Sequence, residues 1–308
     1  MLQQLRNLLW SPEQVITVQQ FFGDGWEWLF EGLTLLGASP GVALILAISF
    51  WLKGRQFAVR LGGILLLTVS TNALLWNTVQ VPRPDDPGIV QRATVSVTSF
   101  PSGHTASATA IWGSLVVLRH VPLLVAVAAV AAVMLSRLYL GVHYLGDLVG
   151  GLAVGLAALA IYTRWHPALL GWLAKGTEAL ARRLGRHGFL AALAVGIGAA
   201  AATLVVLGPT QKGWEIGGAV LGAGLALPLE THYVNYRPAR SSRWHHGLKL
   251  AIGLAGLGVL ALGQLVVGET PAVGVLFALA PLWMILIAPW IFSQLEPSPE
   301  RIHMRADG

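Results

Sequence analysis

The stretch SFPSGHTASATA, residues 99–110, places a polar turn directly before a long apolar segment. Pro101 and Ser102 break the chain where a helix is expected to begin, and Ser102 is a suitable N-cap. Gly103 lets the backbone approach a ligand closely. The free amides and the positive end of the helix dipole would then favour an anion such as phosphate. The stretch therefore predicts an anion site at the end of an apolar helix.

The composition places that helix in a membrane. Of the 308 residues, 55% are hydrophobic and only 11% are charged, with a mean hydropathy of +0.66. A soluble domain carries about 25% charged residues, and several apolar runs approach the roughly 20 residues that span a bilayer core. We therefore expect an all-α, polytopic transmembrane helix bundle. Cysteine is absent, which excludes disulfides and thiolate metal sites.

The apolar runs predict nine membrane spans. An additional segment precedes them, because residues 14–36 mix aromatic side chains with acidic ones. That pattern favours an amphipathic helix in the membrane interface, with a short tenth span as the alternative. The predicted spans are 40–53, 57–80, 104–119, 121–138, 143–163, 188–208, 214–229, 247–267 and 270–292.

The distribution of basic residues predicts the orientation. Fifteen of the 20 lysines and arginines fall on one face if the chain alternates across the membrane, and the positive-inside rule makes that face cytoplasmic. This cytoplasmic set comprises Lys53, Arg55, Arg60, Arg119, Arg164, Lys175, Arg182, Arg183, Arg186, Arg237, Arg240, Arg243, Lys249, Arg301 and Arg305. The C-terminus is then cytoplasmic, and Arg83, Arg92, Arg137 and Lys212 are extracytoplasmic. Basic residues in loops indicate membrane orientation, so we expect no nucleic-acid partner.

Four regions follow from this pattern: an interfacial amphipathic segment at 1–36, a helical core at 37–163, a cytoplasmic amphipathic linker at 164–187, and a four-span membrane region with a cytoplasmic tail at 188–308. Small residues in the last region, as in GIGAAAATL and GGAVLGAGLAL, allow helices to pack closely. Tyr233 and Tyr236 are expected to be solvated or to contact lipid headgroups.

Three short segments of the core share the extracytoplasmic side, where ionisable side chains are costly and usually functional. Arg83 and Arg137 can each bind two phosphate oxygens. His143 and Asp147 are four residues apart and hence expected on one helix face. A carboxylate there can hold one ring nitrogen and leave the other free as a nucleophile. Each residue alone could be a helix cap, a headgroup anchor or an interface residue. Together they predict a phosphate site composed of Arg83, Ser102, His104, Arg137, His143 and Asp147.

These residues resemble the type 2 phosphatidic acid phosphatase (PAP2) superfamily over about residues 40–163. The family pattern is Lys, six residues, Arg-Pro; then Pro-Ser-Gly-His; then Ser-Arg, five residues, His, three residues, Asp. The second block is present at 101–104, and the third at Ser136, Arg137, His143 and Asp147 with every spacing kept. The first block matches only at Arg83 and Pro84, because Trp76 stands where the family has lysine.

The resemblance implies a role for each matching residue. His143 resembles the nucleophile that forms a phosphohistidine, Asp147 the group that orients it, and His104 the general acid. The phosphate cradle would consist of Arg83, Ser102, Gly103 and Arg137. The family needs no metal, and we expect no cofactor. Loss of the lysine would weaken phosphate binding by about 1 kcal/mol or more, since a charged hydrogen bond contributes about 1.5–3 kcal/mol.

The expected function is metal-independent hydrolysis of a lipid phosphate or diphosphate on the extracytoplasmic face, with a phosphorylated lipid and membrane lipids as partners. Phosphatidate, phosphatidylglycerol phosphate and isoprenoid phosphates are the candidate substrates. The nine-span topology also resembles the glucose-6-phosphatase branch, so a soluble sugar phosphate is an alternative substrate. The second alternative is a non-catalytic lipid-phosphate binder or transporter, which Trp76 would favour. The sequence predicts no oligomeric state.

Overall fold

The computed structural model describes residue 4 and residues 8–93, 98–184, 188–238, 243–268 and 270–295, and in these ranges every regular element is helical. The helices are α1 (Glu13–Phe22), α2 (Glu27–Thr34), α3 (Ser39–Lys53), α4 (Arg55–Thr78), α5 (Gly103–Val117), α6 (Leu123–Tyr139), α7 (Leu145–Leu184), α8 (Gly188–Leu207), α9 (Gln211–Leu229), α10 (Arg243–Val267), α11 (Val273–Pro281) and α12 (Ala288–Leu295). Two π-helical segments, Glu230–Val234 and Leu282–Ile287, follow α9 and α11.

The prediction of an all-α membrane bundle is confirmed, and each of the nine predicted spans coincides with a helical segment. Nine spans are not confirmed. Among the described residues, five helical segments are long and apolar enough to cross a membrane. The count is six if α2 and α3, which are bent by 47° relative to each other, form one span. Helices α5 and α6 have only 15 and 17 residues. At 1.5 Å per residue, such lengths fall short of a hydrocarbon core about 30 Å thick.

The first compact unit contains residues 1–45 and 60–171. In this unit α1 and α2 pack on α6, and α6 packs on α5. Phe30 of α2 stacks on Tyr139 of α6 with ring centroids 4.1 Å apart. Arg92, in the loop after α4, forms ion pairs with Asp24 and Glu27. The segment predicted to lie in the interface therefore packs against the helical core, while its membrane position stays a prediction.

Helix α7 approaches the start of α5 through glycines. A Cβ atom at Gly151 would lie 2.4 Å from the Ser102 carbonyl oxygen, and one at Gly155 would lie 2.5 Å from Thr109 Cβ. Any larger residue at these two positions would push α5 and α7 apart. The glycines therefore allow the N-terminal parts of α5 and α7 to pack closely against each other. Helix α7 continues to Leu184, through most of the predicted linker. Residues 185–187 of that linker lie outside the described residues.

The second compact unit contains residues 46–59 and 172–308. Helix α9 packs against both α8 and α11. Close packing through small residues is confirmed, because a Cβ atom at Gly196 would lie 2.8 Å from the backbone of Gly224. Lys212 pairs with Glu215 in this unit. The predicted cytoplasmic tail, from residue 296 onward, lies outside the described residues.

Candidate active site

The turn before α5 is tied to the first turn of α7 through its backbone. The amide of Ser102 donates to the carbonyl oxygen of Asp147 at 2.9 Å. Ser102 occupies the predicted N-cap position of α5, but its side chain makes no capping hydrogen bond. Its Oγ instead accepts from Thr105 Oγ1 at 3.2 Å, and the residue is fully buried. The first-turn amides of a helix lack intrahelical partners, so they remain suited to an anion.

Trp76 faces the same turn. Its indole Nε1 donates to the Pro101 carbonyl oxygen at 2.8 Å, and Asn72 Nδ2 donates to the same oxygen at 3.1 Å. A Cβ atom at Gly103 would lie 2.8 Å from the Trp76 ring. Position 103 therefore requires glycine because the indole covers it, in addition to the predicted approach of a ligand. Trp76, which stands where the family has lysine, therefore supports the turn through a hydrogen bond but supplies no positive charge.

The carboxylate of Asp147 is fully buried and held by three donors. Ser99 Oγ and the amide of Tyr144 donate to Oδ2 at 2.6 and 2.9 Å, and Trp10 Nε1 donates to Oδ1 at 3.0 Å. The bond to Tyr144, the residue just before α7, resembles the side-chain half of a capping box. A buried charge needs such partners, because desolvating it without them is costly. Neither Trp10 nor Ser99 is predicted from the sequence as a partner of this carboxylate.

His143 lies in the loop between α6 and α7, two residues before α7 begins. The prediction that it shares a helix face with Asp147 is therefore wrong, although the two side chains do meet. His143 Nδ1 lies 3.4 Å from Asp147 Oδ2, too far for a hydrogen bond of ordinary geometry. On the other side of the ring, Nε2 lies 3.3 Å from Arg83 Nη1. The imidazole is thus held between a carboxylate and a guanidinium.

This environment determines the state of the imidazole. Burial lowers the pKa of His143 to about 4, and the positive charges of Arg83 and Arg137 act in the same direction, while Asp147 opposes them. The ring is therefore neutral at neutral pH. A guanidinium can only donate hydrogen bonds, so the nitrogen beside it, Nε2, must be the acceptor. The ring proton then lies on Nδ1, facing Asp147, and the lone pair lies on Nε2.

The two arginines approach this imidazole from different elements. Arg83 comes from the loop after α4 and donates to the carbonyl oxygens of Val142 and Thr98 at 2.6 and 3.3 Å. Burial lowers the pKa of Arg83 to about 10, so it remains a cation at neutral pH. Arg137, in the last turn of α6, is buried and donates from Nη1 to Thr34 Oγ1 at 3.0 Å. Its buried Nε makes no hydrogen bond.

The structure brings the predicted residues together to different degrees. Arg83, His143 and Asp147 are in direct contact, Ser102 is bonded to the backbone of Asp147, and the charge of Arg137 acts on His143. The remaining two, Gly103 and His104, form the first turn of α5 and are half-buried. Over the described part of the chain, His, Asp and Glu side chains form no group of three that could hold a metal ion. Metal independence stays a prediction.

Comparisons with known proteins identify the family of this arrangement. Residues 57–170 match the model of the PAP2 superfamily, and residues 214–300 match that of the PAP2 superfamily phosphatase, transmembrane extension. The first match runs from α4 into α7 and contains every predicted site residue. The second lies in the four-span region, for which the sequence analysis predicted no role.

Three proteins illustrate the range of similarity. Phosphatidylglycerophosphatase B of Bacillus subtilis is 32% identical over 151 residues, which cover 42% of this chain and 71% of the relative. Decaprenylphosphoryl-5-phosphoribose phosphatase of Mycobacterium tuberculosis is 36% identical over 121 residues, 39% of this chain and 67% of the relative. The crystal structure of the first transmembrane PAP2 type phosphatidylglycerolphosphate phosphatase from Bacillus subtilis aligns with 51% of this chain and 85% of its own, with 23% identity and a TM-score of 0.44. The two family-model matches and the relatives that are 32% and 36% identical show that the chain belongs to the PAP2 superfamily, and it is a phosphatase with several apolar helices that place it in a membrane.

Proposed function

We propose that this chain hydrolyses a lipid phosphate or diphosphate on the extracytoplasmic face of the membrane, through a phosphohistidine formed on His143. One observation carries the proposal. The neutral, buried imidazole of His143 lies between Asp147 and Arg83, with Nδ1 toward the carboxylate and Nε2 beside the guanidinium. A nucleophile oriented by one group and placed beside a phosphate-binding cation is the arrangement that phosphoryl transfer to histidine needs.

The first step would be attack of His143 Nε2 on phosphorus. The phosphorus–nitrogen bond forms as the bond to the ester oxygen breaks, and His104 gives its proton to that leaving oxygen. Asp147 stabilises the positive charge that develops on the ring. Arg83 touches Nε2 in the structure, so it must move its hydrogen bond from the imidazole to a phosphate oxygen when substrate enters. In that position it would stabilise charge on the transferring group.

The second step would release inorganic phosphate. His104, now neutral, takes a proton from water, and the resulting hydroxide oxygen bonds to phosphorus as the phosphorus–nitrogen bond breaks. His143 recovers its lone pair and His104 its proton, so the enzyme returns to its starting state. Arg83, Arg137 and the first-turn amides of α5, beside Ser102 and Gly103, would neutralise the phosphoryl oxygens without a metal.

The substrate class is supported by the relatives and by the membrane setting. Two relatives are named as phosphatases of phosphatidylglycerophosphate and of decaprenylphosphoryl-5-phosphoribose, both lipids. A site at the ends of apolar helices lets acyl or prenyl tails remain in the bilayer while the headgroup enters the cradle. The positive-inside distribution of the cytoplasmic set supports the extracytoplasmic location.

The experiment that tests this proposal measures phosphate release by the purified full-length chain in lipid nanodiscs containing EDTA. The panel is phosphatidate, phosphatidylglycerol phosphate, an isoprenoid diphosphate and a hexose phosphate, and the His143→Ala variant is the control. Turnover of one or more lipids, absent in the variant, is the expected result. Turnover of the hexose phosphate alone would make the substrate soluble, and lipid binding without turnover would make the chain a binder. Activity that disappears with EDTA and returns with magnesium would overturn metal independence.

A further inference from the structure

The second compact unit contains a cavity of about 320 Å³ where α3 ends and α4 begins. This basic cavity is lined by Lys53, Gly54, Arg55, Gln56, Asn235, Tyr236, Arg237 and Pro238. Its three cationic residues belong to the cytoplasmic set. They come from two segments about 180 residues apart along the chain, so the fold itself assembles the cavity.

A buried carboxylate organises both walls of the basic cavity. Glu230 is 1% exposed. Its Oε2 lies 3.3 Å from Arg55 Nη1, and its Oε1 accepts from the amide of Tyr236 at 2.7 Å. Arg55 also donates to Thr231 Oγ1. Glu230 thus holds Arg55 in one wall and the backbone amide of Tyr236 in the other. Its single negative charge offsets only one of the three positive charges of Lys53, Arg55 and Arg237.

The wall formed by residues 235–238 also has an unusual backbone. It follows the π-helical segment Glu230–Val234, and Asn235 adopts a left-handed conformation with φ 45°. Single-turn π segments and left-handed residues other than glycine both occur frequently at functional sites, where the surrounding structure maintains them. Glu230 stabilises the left-handed conformation of Asn235, because its side chain accepts a hydrogen bond from the amide of the next residue, Tyr236.

The next residue, Tyr236, anchors this wall to the protein interior. It is buried, so the expectation that it is solvated or in contact with headgroups is wrong. Its hydroxyl donates to the Trp51 carbonyl oxygen at 3.0 Å, and the ammonium of buried Lys249 lies 5.6 Å from its ring centroid. The buried charges of Glu230 and Lys249 below a cavity are costly to maintain, which supports a site preformed for a ligand.

We propose that the basic cavity is a second anion site, distinct from the phosphatase centre, that binds a phosphate group. Lys53 and Arg237 supply the positive charge that Glu230 does not offset, and guanidinium groups bind phosphate oxygens in pairs. Basic pockets between membrane helices at the cytoplasmic side bind phosphorylated lipid headgroups. The headgroup of an anionic lipid and free inorganic phosphate share this chemistry. The proposal is independent of the catalytic mechanism and of the substrate.

The absence of cysteine allows a local test. Gln56, an exposed residue of the cavity wall, is changed to cysteine and labelled with an environment-sensitive fluorophore. The labelled full-length protein is titrated with inorganic phosphate in neutral detergent. It is then compared in nanodiscs of phosphatidylcholine alone and of phosphatidylcholine with phosphatidylglycerol. A response to phosphate identifies the free anion as a ligand, and a response only to phosphatidylglycerol identifies the lipid headgroup.

Charge variants made in the labelled protein locate the response. Lys53→Gln combined with Arg237→Gln is expected to weaken binding about a hundredfold or more, since each substitution removes a charged hydrogen bond. Arg164→Gln removes an exposed member of the cytoplasmic set that does not line the cavity, and it is expected to leave the affinity unchanged. The proposal is overturned if neither ligand changes the fluorescence. It is also overturned if the double variant binds like the parent, or if Arg164→Gln weakens binding equally. Monodisperse elution and unchanged phosphate release confirm that each variant is folded.

Discussion

The indole of Trp10 donates a hydrogen bond to Oδ1 of Asp147 at 3.0 Å, joining two residues 137 positions apart. The same ring lies against Gly146, where a Cβ atom would be 2.6 Å from it. The other carboxylate oxygen, Oδ2, is the one nearest to His143. Trp10 therefore holds the carboxylate in the rotation that presents Oδ2 to the imidazole, and we infer that it positions Asp147 without touching substrate.

Replacing Trp10 with phenylalanine keeps an aromatic ring but removes this donor. We expect kcat to fall about tenfold, because a hydrogen bond to a charged group contributes about 1.5–3 kcal/mol. KM is expected to change little, since the cradle residues are not affected. Steady-state phosphate release measures both constants. A merely structural role would instead lower the yield of folded protein and leave kcat per folded molecule unchanged.

Trp28→Phe is the matched control for this variant, because Trp28 is an exposed tryptophan of the N-terminal region, 70% accessible to solvent. It is expected to match the parent protein in both constants. A kcat loss of the same size in the two variants would refute a specific role for Trp10.

His143→Ala is expected to abolish turnover while the protein still folds and inserts. The residue lies in a loop, so its removal leaves the apolar contacts of the helices in place. Rapid quenching with a radiolabelled substrate is expected to trap a phosphoenzyme in the parent protein and none in the variant. Activity near that of the parent would remove the phosphohistidine mechanism.

The pH dependence follows from the burial of His143. Its pKa is lowered from 6.5 to about 4, so the ring stays neutral and nucleophilic as the pH falls past 6.5. We expect the acid limb of kcat/KM, which reports groups of the free enzyme, to lie near pH 4. Arg83→Gln removes one of the positive charges that lower this pKa, so its acid limb is expected at higher pH. An acid limb near 6.5 in the parent protein would contradict the buried, neutral imidazole.

Structural features that arise from residues close together in the sequence, such as the helical segments, are predictable from the sequence. Apolar run lengths predict nine helical segments, and the match of Arg137, His143 and Asp147 to the family pattern predicts that these three side chains lie near one another. The contacts of Trp10 and Thr34 were not predictable, because a contact across more than 100 residues leaves no periodic signal. The sequence therefore predicts an interfacial helix or a short span for the N-terminal segment, but it does not predict the contacts with Asp147 and Arg137.

The predicted orientation can be tested by labelling single cysteines in intact cells, since the chain has no native thiol. Asp86→Cys lies in the loop that carries Arg83 and is expected to react with a membrane-impermeant maleimide. Gly176→Cys lies among basic residues of the cytoplasmic set and is expected to react only after the cells are permeabilised. The reverse pattern would invert the topology and place the phosphatase centre in the cytoplasm.

Trp76 provides the sharpest test of the phosphate cradle. Its indole donates to the Pro101 carbonyl oxygen and covers Gly103, so a lysine in its place would put an ammonium beside the turn that precedes α5. Trp76→Lys is expected to tighten inhibition by vanadate, which resembles the phosphoryl-transfer transition state, by about tenfold, the value of one added charged hydrogen bond. Trp76→Phe keeps the packing but loses the bond to Pro101, and it is expected to loosen the turn and weaken vanadate binding. If Trp76→Lys folds and binds vanadate no better than the parent protein, the cradle in this chain does not use position 76 for phosphate, and its charge complement is limited to Arg83 and Arg137.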